Sequence, residues 1–109
     1  MKKKERNKLD KQWKEEVHTA WDHRCAVCGK TDVVLNAHHI ISRQLKEFRH
    51  DKMNGILVCS NCHVFSPYIS CHKGSLLFFD WLVTKYPQIH IYLLNKIRDA
   101  SSAKNMRYY

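Results

Sequence analysis

The chain has 109 residues, enough for one domain, and carries nineteen Lys and Arg against ten Asp and Glu, a net charge of +9. That balance favours an anionic partner, nucleic acid first. No apolar run approaches the roughly 20 residues a membrane span needs, so no membrane partner is expected.

No apolar signal core follows Met1-Lys2-Lys3-Lys4. A cytoplasmic protein is therefore expected, in which thiols stay reduced and paired Cys-x-x-Cys reads as a metal site rather than a disulfide.

In chain order, residues 1–22 read as a helix. Leu9, Trp13, Val17 and Ala20-Trp21 recur at helical spacing and form one apolar stripe. Its first turns are dense in lysine, so a frayed arm is expected there, either a solvated tail or a phosphate-binding arm. Residues 25–30 form a tight turn, with Gly29 supplying backbone freedom after Cys28. Val33 to Ile41 reads as a strand, and residues 42–55 as polar and irregular with a turn at Asn54-Gly55. Ile56-Leu57-Val58 is a second strand leading into Cys59. A short helix from Ser60 carries Cys62 and His63 and ends at Ser66-Pro67. Ser75 is placed as the N-cap of a helix through Tyr86, with Phe79, Leu82, Val83 and Tyr86 as its main apolar face and Leu76, Phe78 and Trp81 beside it. Pro87 opens a last helix to about Ala100, with Ile89, Leu93, Leu94 and Ile97 on its buried side. The fold class expected is α+β: a zinc-stabilised hairpin-plus-helix core over residues 23–74, with flanking helices over 1–22 and 75–100.

Two Cys-x-x-Cys pairs carry the strongest chemical signal. A two-residue gap lets both sulfurs of a pair reach one zinc ion, so Cys25, Cys28, Cys59 and Cys62 supply a complete tetrahedral set. Such a site is closed and structural, and its binding is coupled to folding. Cys71 is left over and reads as a semi-buried thiol. His38 and His39 lie between the pairs and His63 directly after them, which suggests a second, catalytic metal. On a strand, ideal alternation would point His38 and His39 apart. Their plain alternative is a pair of strand histidines bonded to backbone; for His63 it is a helix-surface residue or a substitute zinc ligand. His18, His23, His50 and His90 read as surface or ordinary structural residues.

The segments Cys25-Ala26-Val27-Cys28, Ala37-His38-His39-Ile40-Ile41 and Asn54-Gly55-Ile56-Leu57-Val58-Cys59-Ser60-Asn61-Cys62-His63 together resemble the HNH endonucleases, with their ββα-metal core. The Ala-His-His-Ile form is also similar to phage or prophage HNH proteins related to recombination-associated nucleases. The resemblance implies one nuclease domain over 1–109 that hydrolyses DNA phosphodiester bonds by nicking, leaving 5′-phosphate and 3′-hydroxyl ends. It implies His39 as general base, Asn54 as the brace of the loop, and His38 and His63 as ligands of a divalent catalytic metal. The family commonly has Asp where this chain has His38. Imidazole there shifts preference toward softer ions, so Zn²⁺, Ni²⁺ and Mn²⁺ stand beside Mg²⁺.

The chemistry agrees with these residue types. A neutral histidine accepts a proton from water near pH 7, and Arg43, with Arg49 beside it, could grip a phosphate. His72 is a further candidate contact. The competing reading is a zinc-binding nucleic-acid module without catalysis. Phage packaging or recombination proteins are candidate partners.

Overall fold

The computed structural model describes residues 1–60 and 75–103. The expected helix at Cys62 and His63, with Cys71 and His72, lies outside the described residues.

Helix α1 runs Lys3–Ala20. It starts at the third residue, so most of the expected lysine-rich arm is helical. The predicted stripe is its buried face: Trp13 and Val17 are buried, and Leu9 and Trp21 are half-buried. The helix ends in a turn where Asp22 and His23 both take positive φ. His23 N–H closes that turn by donating to the His18 carbonyl at 2.9 Å.

The knuckle turn follows. Cys25 N–H donates to the Lys30 carbonyl and Gly29 N–H to the Cys25 carbonyl, with Gly29 at φ 76°, the conformation glycine adopts without a Cβ penalty. Ala26 N–H donates to the Leu57 carbonyl at 2.8 Å, which ties the turn to the hairpin.

Strand β1, Leu35–His39, pairs antiparallel with β2, Gly55–Cys59. It is shorter than the predicted 33–41. Val33 and Val34 are β-formers by composition, but both are exposed in the approach to the strand, where no partner strand rewards that preference. The predicted turn at Asn54-Gly55 is also corrected. Gly55 is extended and opens β2, and the strands are joined by residues 40–54. That connection is more ordered than its composition suggests. It holds a one-turn helix α2, Lys46–Arg49, pinned by buried Phe48, and a 3₁₀ turn at Lys52–Asn54.

The pairing puts Leu35, Ala37 and His39 opposite Cys59, Leu57 and Gly55. This face meets α1, where Trp13, Val17 and Leu57 form one cluster. Ile56 and Val58 belong to the other face and pack with Cys25 and Phe78. Every residue of β2 is buried, so apolar material covers the strand on both sides.

Helix α3, Ser75–Lys85, and helix α4, Pro87–Ala103, complete the described chain. Ser75 is itself helical rather than a cap. The predicted face of α3 is rotated: Phe78 and Leu82 are buried, Trp81 and Tyr86 half-buried, and Phe79 and Val83 exposed. The aromatic contacts account for the rotation. Tyr86 meets Trp21 edge-on at 4.8 Å, and Trp81 lies 5.5 Å from Tyr86, contacts that a Phe79–Val83 face would forgo. Helix α4 buries Leu93, as predicted, and is fastened by Lys96 and Tyr92, which both donate to Asp51 Oδ2 at 2.6 Å.

Candidate active site

Three of the four predicted zinc thiols converge. The sulfurs of Cys25, Cys28 and Cys59 all lie within 4.8 Å of one another, with Cys25 and Cys59 buried and Cys28 exposed. Cys28 Sγ and Cys59 Sγ are 3.7 Å apart. Two thiolates on one tetrahedral zinc at about 2.3 Å would sit about 3.8 Å apart, so the cluster fits such an ion. Burial pushes the Cys25 thiol up. The backbone N–H groups of Cys28, Cys59 and Val27 outweigh that and bring it down to about 7, which favours the thiolate a metal requires. Cys62 lies outside the described residues.

The histidine pair sits at the far end of β1 from Leu35. His39 faces α1, and its ring lies flat against Trp13, centroids 3.8 Å apart and planes within 3°. Its Nε2 lies 2.9 Å from the Arg49 carbonyl oxygen. A carbonyl only accepts, so Nε2 carries the hydrogen and the lone pair of the neutral ring is on Nδ1. Burial is the main reason the ring's pKa lies below the ordinary histidine value. The Arg49 carbonyl opposes this, and the charges of Arg43 and Arg49 reinforce it. At neutral pH His39 is therefore uncharged.

His38, half-buried, pairs across the hairpin with Ile56 on the opposite face. Alternation thus separates the rings as the strand geometry predicts, yet both histidines line one cleft of about 520 Å³ with Trp13, Lys14, Ser42 and Arg43. A larger cleft of about 650 Å³ lies against the cysteine turn, between Trp21, Tyr86 and Ile89. The smaller one holds the histidine pair with two cationic side chains at its edge.

Asn54 is completely buried. Its Oδ1 accepts from Ile41 N–H at 2.7 Å, and its Nδ2 donates to the carbonyls of Ile41 and Phe48 at 2.9 and 3.0 Å. One side chain thus joins the two ends of the connection that carries Arg49. Arg49 itself is not turned to a phosphate. Its Nε and Nη2 donate to the two carboxylate oxygens of Asp10 at 2.9 and 2.8 Å. His50 Nε2 is 2.7 Å from the same carboxylate.

Asp10, Trp13 and His50 were not singled out as site residues in the sequence. Asp10 carried one usable signal: it is an acid in a lysine-rich stretch, three residues before Trp13 and so on the same side of the helix.

These features define a small α+β domain, framed by a thiol cluster and presenting a histidine pair in a cleft edged by Lys14 and Arg43. Residues 25–64 match the family model of the HNH endonucleases. The match starts at Cys25 and ends one residue past His63. It carries the family alone and lends no support to the phage or prophage origin expected above. Among curated proteins and solved structures, none matches the chain. Among the described residues, no helix is long and apolar enough to cross a membrane.

Proposed function

We propose that the chain is a metal-dependent endonuclease that nicks DNA and leaves 5′-phosphate and 3′-hydroxyl ends. The observation that carries this reading is the state of His39: a neutral ring with Nε2–H tied to a backbone carbonyl, which leaves the lone pair on Nδ1. In this reading His39 Nδ1 removes a proton from water as that water attacks the phosphorus. Arg43, exposed at the cleft edge, would hold the phosphate. Asn54 braces the connection that presents the Arg49 carbonyl. Cys25, Cys28, Cys59 and Cys62 would hold a structural Zn²⁺ that never meets substrate. His38 and His63 would hold the catalytic ion, either Mg²⁺, Mn²⁺, Ni²⁺ or Zn²⁺. When bound, that ion supplies positive charge to the phosphate and to the departing 3′ oxygen. The net charge of +9 suits a polyanionic substrate.

The test is supercoiled plasmid incubated with each of the four ions. Relaxed circles are expected with at least one of them, and His39→Ala should reduce nicking by about a hundredfold or more. Tight binding without nicking under every ion would instead favour the non-catalytic nucleic-acid module.

A further inference from the structure

The matched segment begins at Cys25, yet two residues that precede it, Trp13 and Asp10, help to hold the ring of His39. Trp13 covers one face of the ring. The Arg49 carbonyl takes the Nε2 hydrogen, and the Arg49 guanidinium is gripped through two nitrogens by Asp10. Asp10 and Trp13 lie one turn apart on the same side of α1. We propose that α1 is a working part of the active site, with Trp13 and Asp10 as positioning residues that hold His39 in one ring orientation and one tautomer.

The argument is geometric. The outer torsion of a histidine is broad and roughly two-fold, so an unrestrained ring exchanges the places of Nδ1 and Nε2. Two restraints remove that freedom here. The flat indole of Trp13 fixes the plane of the ring, and the Arg49 carbonyl selects which nitrogen bears the hydrogen. Each restraint is itself anchored. Trp13 Nε1–H donates to the Asp51 carbonyl at 2.8 Å. The position opposite His39 in β2 is Gly55, where a Cβ would come within 3.0 Å of Trp13 Cζ2. The carbonyl is held because residue 49 is tied through its own side chain to Asp10, and Asp10 also engages His50. The path from α1 to the proton-accepting nitrogen is thus one ring contact on one side and one ion pair plus one hydrogen bond on the other.

This inference rests on His39 as the base, and the experiment separates the two ideas. Full-length wild type, Trp13→Phe, Trp13→Leu, Asp10→Asn and His39→Ala are compared by thermal melting, by kcat and KM for plasmid nicking, and by ¹⁵N ring spectra of His39 at mildly alkaline pH. The wild-type ring should give the Nε2–H tautomer. Folded Trp13→Leu and Asp10→Asn should lose about tenfold or more in kcat with little change in KM, because a misplaced base weakens only the transition state. Their His39 spectra should move toward a mixture of tautomers. Trp13→Phe keeps a flat ring and should recover most of the kcat lost in Trp13→Leu. If Trp13→Leu does not fold, Asp10→Asn carries the comparison, since Asp10 is a partly exposed surface acid. Wild-type kcat and an unchanged tautomer in the folded α1 variants, with His39→Ala inactive, overturn the positioning role alone. A His39→Ala variant as active as wild type overturns the base assignment and the positioning role with it.

Discussion

Asn54 and Asp10 are polar residues that shape the site without being placed to touch a substrate. Removing the Asn54 side chain takes away the partner of the Ile41 N–H and of the Ile41 carbonyl, and one of the bonds of the Phe48 carbonyl, which keeps the Asp51 N–H at 3.3 Å. With about 1 kcal/mol or more at stake for each unmade bond, Asn54→Ala should cost roughly 3 kcal/mol, read from urea unfolding. Asp10 acts through charge. The hydrogen bond from Arg49 is the main reason its carboxyl is held well below the usual carboxylate range; burial opposes this, and His50 adds to it. A carboxyl depressed in the folded state adds stability above its unfolded pKa of about 3.9, and that stability is lost as pH falls below it. Asp10→Asn should therefore melt below wild type at neutral pH. The difference should shrink in acid below that value, as wild-type Asp10 itself takes up a proton.

Between elements, α1 comes close to β2 at Gly55. A Cβ added there would lie 2.3 Å from Val17 Cγ2, and neither the branched valine nor the strand can yield cheaply. Gly55→Ala should cost about 1–3 kcal/mol through overpacking. Val17→Ala removes the clashing methyl groups, so the double variant should be less destabilised than the sum of the singles by more than about 0.5 kcal/mol. Additive losses in a double-mutant cycle would mean that the two residues do not meet. The same approach lets Trp21 donate its indole N–H to the Gly55 carbonyl at 2.9 Å. One glycine thus accommodates two tryptophans, Trp13 of α1 and Trp21 just past its end, and the first of them stacks on His39.

At the scale of the whole molecule, the described core is divided between two clusters on the two faces of a two-stranded sheet. A hairpin of two strands is marginal by itself, and a domain this small gains much from a metal crosslink. The thiol cluster joins the turn after α1 to the end of β2, so a bound ion would tie the beginning of the matched segment to its buried strand. Purified protein should carry about one zinc per chain if Cys62 completes the set that Cys25, Cys28 and Cys59 begin. Stripping it with a strong chelator should lower the melting temperature by more than about 10 °C, equivalent to a few kcal/mol in a domain of about 100 residues. Cys59→Ser should do the same without chelator. Unchanged melting after verified metal removal would argue against a structural role.

Much of this was legible in the residues alone. Cysteine spacing located the thiol cluster because two ligands two residues apart have few ways to be arranged. Trp13 and Val17 were legible as core because helical periodicity exposes a buried stripe. The bias of residues 42–55 toward polar side chains hid α2, whose reason for forming is one buried phenylalanine, Phe48. The face of α3 was misjudged because Leu76, Phe78, Phe79, Trp81 and Val83 surround that helix with apolar groups. Periodicity cannot then choose a side, and only contact with Trp21 through Tyr86 decides it.

The sequence by itself determined where the paired cysteines and the histidine pair fall and which segment resembles the HNH endonucleases, since these depend on residue identity and on short spacings. Only the tertiary structure decided which nitrogen of His39 holds its hydrogen, that Arg49 serves Asp10 instead of a phosphate, and that α1 closes over His39. These follow from contacts between residues far apart in the chain, among them Asp10 with Arg49 and Trp13 with His39. No local pattern encodes such pairs, because each forms only when a helix and a strand connection pack together.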